Sequence, residues 1–262
     1  MKKFLAVVMT AVLAMSMMTA CGSSKSSKEN KDTTAAKAET TKAETIDASG
    51  VTLVSDGVLT VGAEMGYAPF ETLQKDGKTP EGFDGILGKI GKDYDVVCSA
   101  VTINPTRKKA VLFSTPYITN YQTVVVKKGS DLKINSLKDL DGKSVGVQKG
   151  TTSDQLMSEY KSTKTINVEV AANDKLLNCF TQLTNGEIDA VVVDSTVADG
   201  FVAKNPDKYE KAFSDKTEPE EFGIAIGKNN AKLQEAINKA LEQMDKDGFL
   251  KDTADYWFSS QE

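Results

Sequence analysis

Arg107 is the only arginine in a chain whose Lys and Arg together number 32. It closes the stretch DVVCSAVTINPTR, residues 95–107, in which Ser99 and Thr102 place hydroxyls just ahead of it. A guanidinium is planar and offers paired donors that match a carboxylate, which a lysine ammonium cannot mimic. The chemistry open to this group is the clamping of a planar carboxylate; a surface salt bridge is the other reading. A second group follows. Lys149-Gly150-Thr151-Thr152-Ser153 opens a helix, where threonines cap free backbone N–H groups and the same N–H groups, with the helix dipole, attract an anion. Asp194 ends the apolar run 189–193 and begins a helix, as an N-cap, as a ligand-facing charge, or as both. In the loop EMGYAPF, residues 64–70, Tyr67 is either a stacking platform or a packed tyrosine.

Composition removes several other chemistries. There is no histidine, which excludes Ser-His-Asp and Cys-His nucleophiles and the usual zinc sites. A formal charge of -5 gives no reason to expect nucleic acid as a partner. The cysteines Cys21, Cys98 and Cys179 lack metal-ligand spacing. Cys98 is expected in a core strand and Cys179 in a helix, both as buried thiols.

Lys2 and Lys3 precede an apolar run that ends in Met18-Thr19-Ala20-Cys21. This resembles a bacterial lipoprotein signal, with methionine where leucine is usual, and the resemblance implies removal of residues 1–20 and lipidation of Cys21 by palmitate-type acyl chains. Residues 22–49 are mostly Ser, Lys, Thr, Ala and Glu, with Ile46 as the one large apolar side chain. Such a segment buries too little to offset chain entropy, so 21–49 is expected to be a disordered tether.

The elements that must position these groups alternate between strand and helix. Strands are expected at 58–63, 95–98, 121–127, 144–148, 166–170, 189–193 and 221–227, with a hairpin over 71–83. Helices are expected from 105, at 136–140, from 151 to 160, at 174–184 and at 231–244. In the last, Leu233, Ala236, Ile237, Ala240, Leu241 and Met244 fall on one face as core. A terminal turn is expected at 253–258. Alternating elements argue for parallel α/β sheets, and crossing strands at 121–127 and 221–227 argue for two lobes, 50–122 with 227–262 and, between them, 123–226.

In order, GAEMGYAPF, EGFD, SAVTINPTR, FSTPY, VVVKKGS, SLKDLDGKSVGVQKGT, NGEIDAVVVD, FGIAI and DGFLKD resemble the amino-acid-binding proteins of ABC importers, family 3 of the solute-binding proteins. The resemblance implies the two-lobe periplasmic-binding-protein fold with hinge strands, no enzymatic activity and no cofactor. It implies a monomer held at the outer face of the cell membrane, serving a transmembrane permease. It also implies a site: Tyr67 and Phe83 as aromatic walls, Glu64 facing a cationic side chain, and Ser99 with the Ala100 backbone around the α-amino and carboxylate groups. Thr102, Thr151 and Thr152 would meet the carboxylate and Arg107 would clamp it, while Asp194 would pair with the α-ammonium and Gln148 would line the pocket. A bidentate cation at one end and an anion at the other suit a zwitterion.

One stretch departs from the family. Gly82-Phe83-Asp84-Gly85-Ile86-Leu87 fuses two motifs that a helix and a strand normally separate. Between residues 63 and 95 there is room for one crossover only, because a strand-helix-strand unit needs about 30 residues. Lobe 1 is therefore expected to lack one helix and one strand.

Overall fold

The computed structural model describes residues 45–63 and 87–256. Cys21, Glu64, Tyr67, Phe83, Asp84, the expected hairpin over 71–83, Trp257 and Phe258 lie outside the described residues. The chain divides into two units, Met1–Ser49 and Gly50–Glu262, and all the described helices and strands lie in the second.

Two sheets organise that unit. The smaller has the order β1-β2-β9-β3, from Val61–Gly62, Val96–Val97, Ala225–Gly227 and Val111–Phe113. The larger has the order β6-β5-β7-β4-β8, from Glu169–Asn173, Ser144–Gln148, Ala190–Asp194, Ile118–Lys127 and Tyr209–Phe222. Strands β5, β6 and β7 are parallel, whereas β4 runs antiparallel to both β7 and β8. The chain passes between the sheets over 114–117 and 223–224. The expected lobe boundaries at 122/123 and 226/227 fall inside β4 and β9.

Alternation along the central strands sends side chains to opposite faces of the larger sheet. Val124, Val126, Ala190 and Val192 pack with Val145 and Val147 of β5 and with Met157 of α2, Thr152–Ser162. Val125, Val191 and Val193 pack with Leu176, Phe180 and Leu183 of α3, Leu176–Asn185, and with Val197 of α4, Ser195–Lys204. Helices on both faces explain why β7 is apolar at almost every position. The smaller sheet packs Val96 and Ile226 on Leu233, Ile237 and Leu241 of α5, Ala231–Lys246. Its other face buries Val97, Val101, Val111 and Phe113. A short helix α6, Phe249–Ala254, follows.

A buried carboxylate fixes the start of this unit. Asp95 accepts from the Val54 and Thr60 backbone N–H groups at 2.6 and 2.7 Å and from the Thr60 hydroxyl at 2.6 Å. The segment before β1 is thereby tied to β2.

Several local expectations differ from the structure. The ladder of β6 begins at Glu169 rather than Ile166, because the register with β5 pairs Ser144 with Glu169; Ile166 and Val168 are core side chains lying ahead of it. The expected strand 221–227 is split, its first part ending the 14-residue β8 and its second forming β9. Cys98 is exposed: it follows the end of β2 at Val97 and is the one outward side chain between buried Val97 and Ser99.

Cys179 is buried, and burial pushes its thiol up to about 11. A raised thiol pKa means almost no thiolate near neutral pH, and thiolate is the nucleophile. In the folded chain, iodoacetamide at pH 8 is expected to label Cys98 and to spare Cys179 until denaturant is added, as peptide mass mapping reads directly. Labelling of both at equal rates would contradict this burial.

Candidate functional site

Arg107 is placed by the cap of its own helix. In α1, Pro105–Ala110, Asn104 is the N-cap and its Oδ1 accepts from the Arg107 backbone N–H at 2.8 Å. Pro105 occupies the first turn, where its missing N–H costs nothing. The side chain turns inward and is 6% exposed. Its Nη1 donates to the Thr102 carbonyl and its Nη2 to the Gly150 carbonyl, each at 3.1 Å. Thr102 precedes α1 in the part of the chain carrying the smaller sheet, and Gly150 follows β5 of the larger, so one guanidinium spans the cleft between them. Gly150 has φ 75, a left-handed conformation open to glycine at little cost, and this turn presents its carbonyl to Arg107.

The threonines after Gly150 have different positions. Thr151 is the N-cap of α2: its hydroxyl accepts from the Asp154 N–H at 3.2 Å and donates to the Gln148 carbonyl at 2.7 Å. Thr152 faces the cleft, donating to Glu220 Oε2 at 3.0 Å and accepting from Gln122 Nε2 at 3.1 Å. Gln148 is buried and its Nε2 donates to the Asp174 carbonyl at 3.4 Å. Ser99 and Ala100 are buried at the end of β2, and Ala100 has φ 49. A left-handed backbone at a residue other than glycine is strained.

Asp194 is the last residue of β7 and the N-cap of α4, but its side chain makes no cap bond. Its Oδ1 accepts instead from Asn120 Nδ2 at 2.6 Å and Gln122 Nε2 at 3.3 Å. Asn120 is held by Ser195 and Thr196, whose hydroxyls donate to its Oδ1 at 3.1 and 3.3 Å. Gln122 is held by Ser153, which donates to its Oε1 at 2.6 Å. Both amides are also within reach of Glu220, at 3.4 Å from Asn120 and 3.1 Å from Gln122.

Thr102, Arg107, Thr152 and Asp194 thus share one cleft, with the Gly150 turn between them. Sequence reasoning missed Asn120, Gln122 and Glu220. For the first two a sequence signal exists, polar residues two apart leading into the β-branched run 123–126, and the structure leaves them 0% and 4% exposed. Two sheets flanked by helices, joined by two passages of the chain and lined between them by Arg107 and Asp194, fit the two-lobe architecture of a solute-binding protein.

The comparisons agree. A family model described as "Bacterial extracellular solute-binding proteins, family 3" matches residues 86–260, and the chain belongs to this family. The "L-cystine-binding protein TcyJ" of Escherichia coli is 34% identical over 230 residues, covering 78% of this chain and 84% of that protein. The "Arginine-binding extracellular protein ArtP" of Bacillus subtilis is 29% identical over 286 residues, covering all of both chains. Among solved structures, "An ancestral arginine-binding protein bound to arginine" has a TM-score of 0.69 at 38% identity, over 76% of this chain and 97% of that one. Holo ArgBP from T. maritima has a TM-score of 0.65 at 34% identity, over 76% and 95%. The ArtP alignment spans 286 positions over a chain of 262, so 24 of its positions pass over this chain.

Proposed function

We propose that this family member captures a polar or cationic amino acid by closing its lobes over it, and hands it to the permease of an ABC importer. The observation that carries the reading is the Arg107 guanidinium, which reaches from Thr102 on one side of the cleft to Gly150 on the other, with the Asp194 carboxylate in the same cleft. Arg107, Thr102 and Thr152 would receive the α-carboxylate, and Asp194 the α-ammonium. Ser99 and Ala100 would close around both groups, with Thr151 holding the turn and Gln148 behind it. Glu64, Tyr67 and Phe83 would shape the side-chain pocket. The reading includes no covalent chemistry, a monomer, and attachment to the outer face of the cell membrane through lipidated Cys21. The relatives named for cystine and arginine support a polar or charged ligand.

A second reading, a binding-impaired or sensing member, is favoured by the 24 positions that the ArtP alignment passes over. We place that gap at Phe83-Asp84, just ahead of residue 86, where the family match begins. A thermal-shift panel of the common amino acids, ornithine and cystine separates the two. A bound ligand at a hundred times its Kd stabilises by about 2.7 kcal/mol, which raises Tm by roughly 5–10 °C in a domain of this size. A shift with one or a few of them is expected; folded protein that responds to none favours the impaired reading.

A further inference from the structure

The cleft already contains a carboxylate on the groups that would meet the ligand's. Glu220 lies near the end of β8, where an antiparallel bridge between Thr102 and Phe222 brings the strand beside the loop ahead of α1. Its Oε2 accepts from the Thr102 hydroxyl at 3.2 Å and the Thr152 hydroxyl at 3.0 Å, one from each side of the cleft. Asn120 Nδ2 is 3.4 Å from the same oxygen, and Gln122 Nε2 is 3.1 Å from Oε1.

A threonine hydroxyl has one proton to donate. While Thr102 and Thr152 give theirs to Glu220, neither can donate to a second carboxylate. The Gln122 amide is also fully engaged, since Thr152 Oγ1, Asp194 Oδ1 and Glu220 Oε1 compete for its two protons. A second carboxylate brought to these donors would also meet the charge of the first. Glu220 is half-buried and has room to move, since it lines an open groove of about 810 Å³ whose walls run from Thr102 and Thr152 to Asn104, Thr106, Gln155 and Glu159.

We propose that Glu220 is a resident carboxylate that competes with the incoming α-carboxylate for Thr102 and Thr152, turns into the groove when an amino acid binds, and so sets the affinity of the site. This rests on the amino-acid reading above. It bridges the two sides of the cleft and lowers affinity for every amino acid alike, because the contested groups meet the part common to all.

Isothermal titration of the full chain with each amino acid that the wild type binds provides the test. Glu220→Ala is expected to lower Kd about tenfold, the effect of recovering one charge-assisted hydrogen bond. The gain is expected to vanish when Thr102 and Thr152 are both valine. If the alanine variant loses its folded circular-dichroism spectrum, Glu220→Gln is read the same way, with a smaller gain because one acceptor oxygen remains. An unchanged or higher Kd in a folded Glu220 variant overturns the proposal, as does a gain that persists without the two hydroxyls. Absence of binding by the wild type would instead strike at the amino-acid reading.

Discussion

Arg107→Ala is expected to raise the Kd for the bound amino acid by on the order of 100-fold or more, because losing one partner of a buried, hydrogen-bonded charge pair costs 2–5 kcal/mol. The side chain is buried and anchored to two carbonyls, so its fork is already oriented and little entropy is lost when a carboxylate arrives. Arg107→Lys is expected to be nearly as damaging, since a single ammonium cannot hold both carbonyls and also present paired donors. The Arg107 backbone N–H still caps on Asn104 in either variant, so α1 should persist. Calorimetric titration measures the loss, and circular dichroism checks the fold. Retained affinity in either variant would return Arg107 to a purely structural role.

Asp194→Asn carries the second large effect. The substitution keeps an oxygen that can accept from Asn120 Nδ2 and Gln122 Nε2, the donors now on Asp194 Oδ1. It removes the charge that would face an α-ammonium. The variant is expected to melt within a few degrees of the wild type and to bind at least tenfold more weakly, since hydrogen bonds to charged groups contribute about 1.5–3 kcal/mol. The contrast between small thermal and large affinity effects separates a ligand-facing charge from a helix cap. A cap role would produce the opposite pattern, and the carboxylate makes no cap bond to α4.

How far these groups were legible in the sequence depended on whether their partners were close in the chain. Arg107 could be placed from Asn104-Pro105, because an N-cap and a first-turn proline are local signals. The core face of α5 could be read from its period, and the end of α3 from Gly186, which caps it with φ 76. Glu220 could not be found this way. It belongs to a half-exposed edge strand, Tyr209–Phe222, that is rich in charge and interrupted by Pro219, so alternation and propensity give little signal. The strand forms because β4 pairs with it over most of its length, and proline is tolerated at an edge. Asn120 fell outside an expected strand that began at Tyr121, whereas pairing with β8 extends β4 back to Ile118. The two threonines after Gly150 read alike in sequence; only the turn decides that Thr151 caps and Thr152 faces the cleft.

The ionic logic of the cleft ties these observations together. In the proposed reading Arg107 and Asp194 supply one charge of each sign for the zwitterion common to all amino acids, whatever its side chain. Affinity should therefore depend on both main-chain charges whichever amino acid is preferred.

The measurement that tests this most directly is a calorimetric titration comparing the preferred amino acid with its methyl ester and its N-acetyl derivative. The account predicts one ligand per chain for the free amino acid, and for each derivative an affinity at least tenfold lower, since each loses one charge-assisted contact. Equal affinity for the free amino acid and its methyl ester would contradict it, because Arg107 would then have no carboxylate to hold.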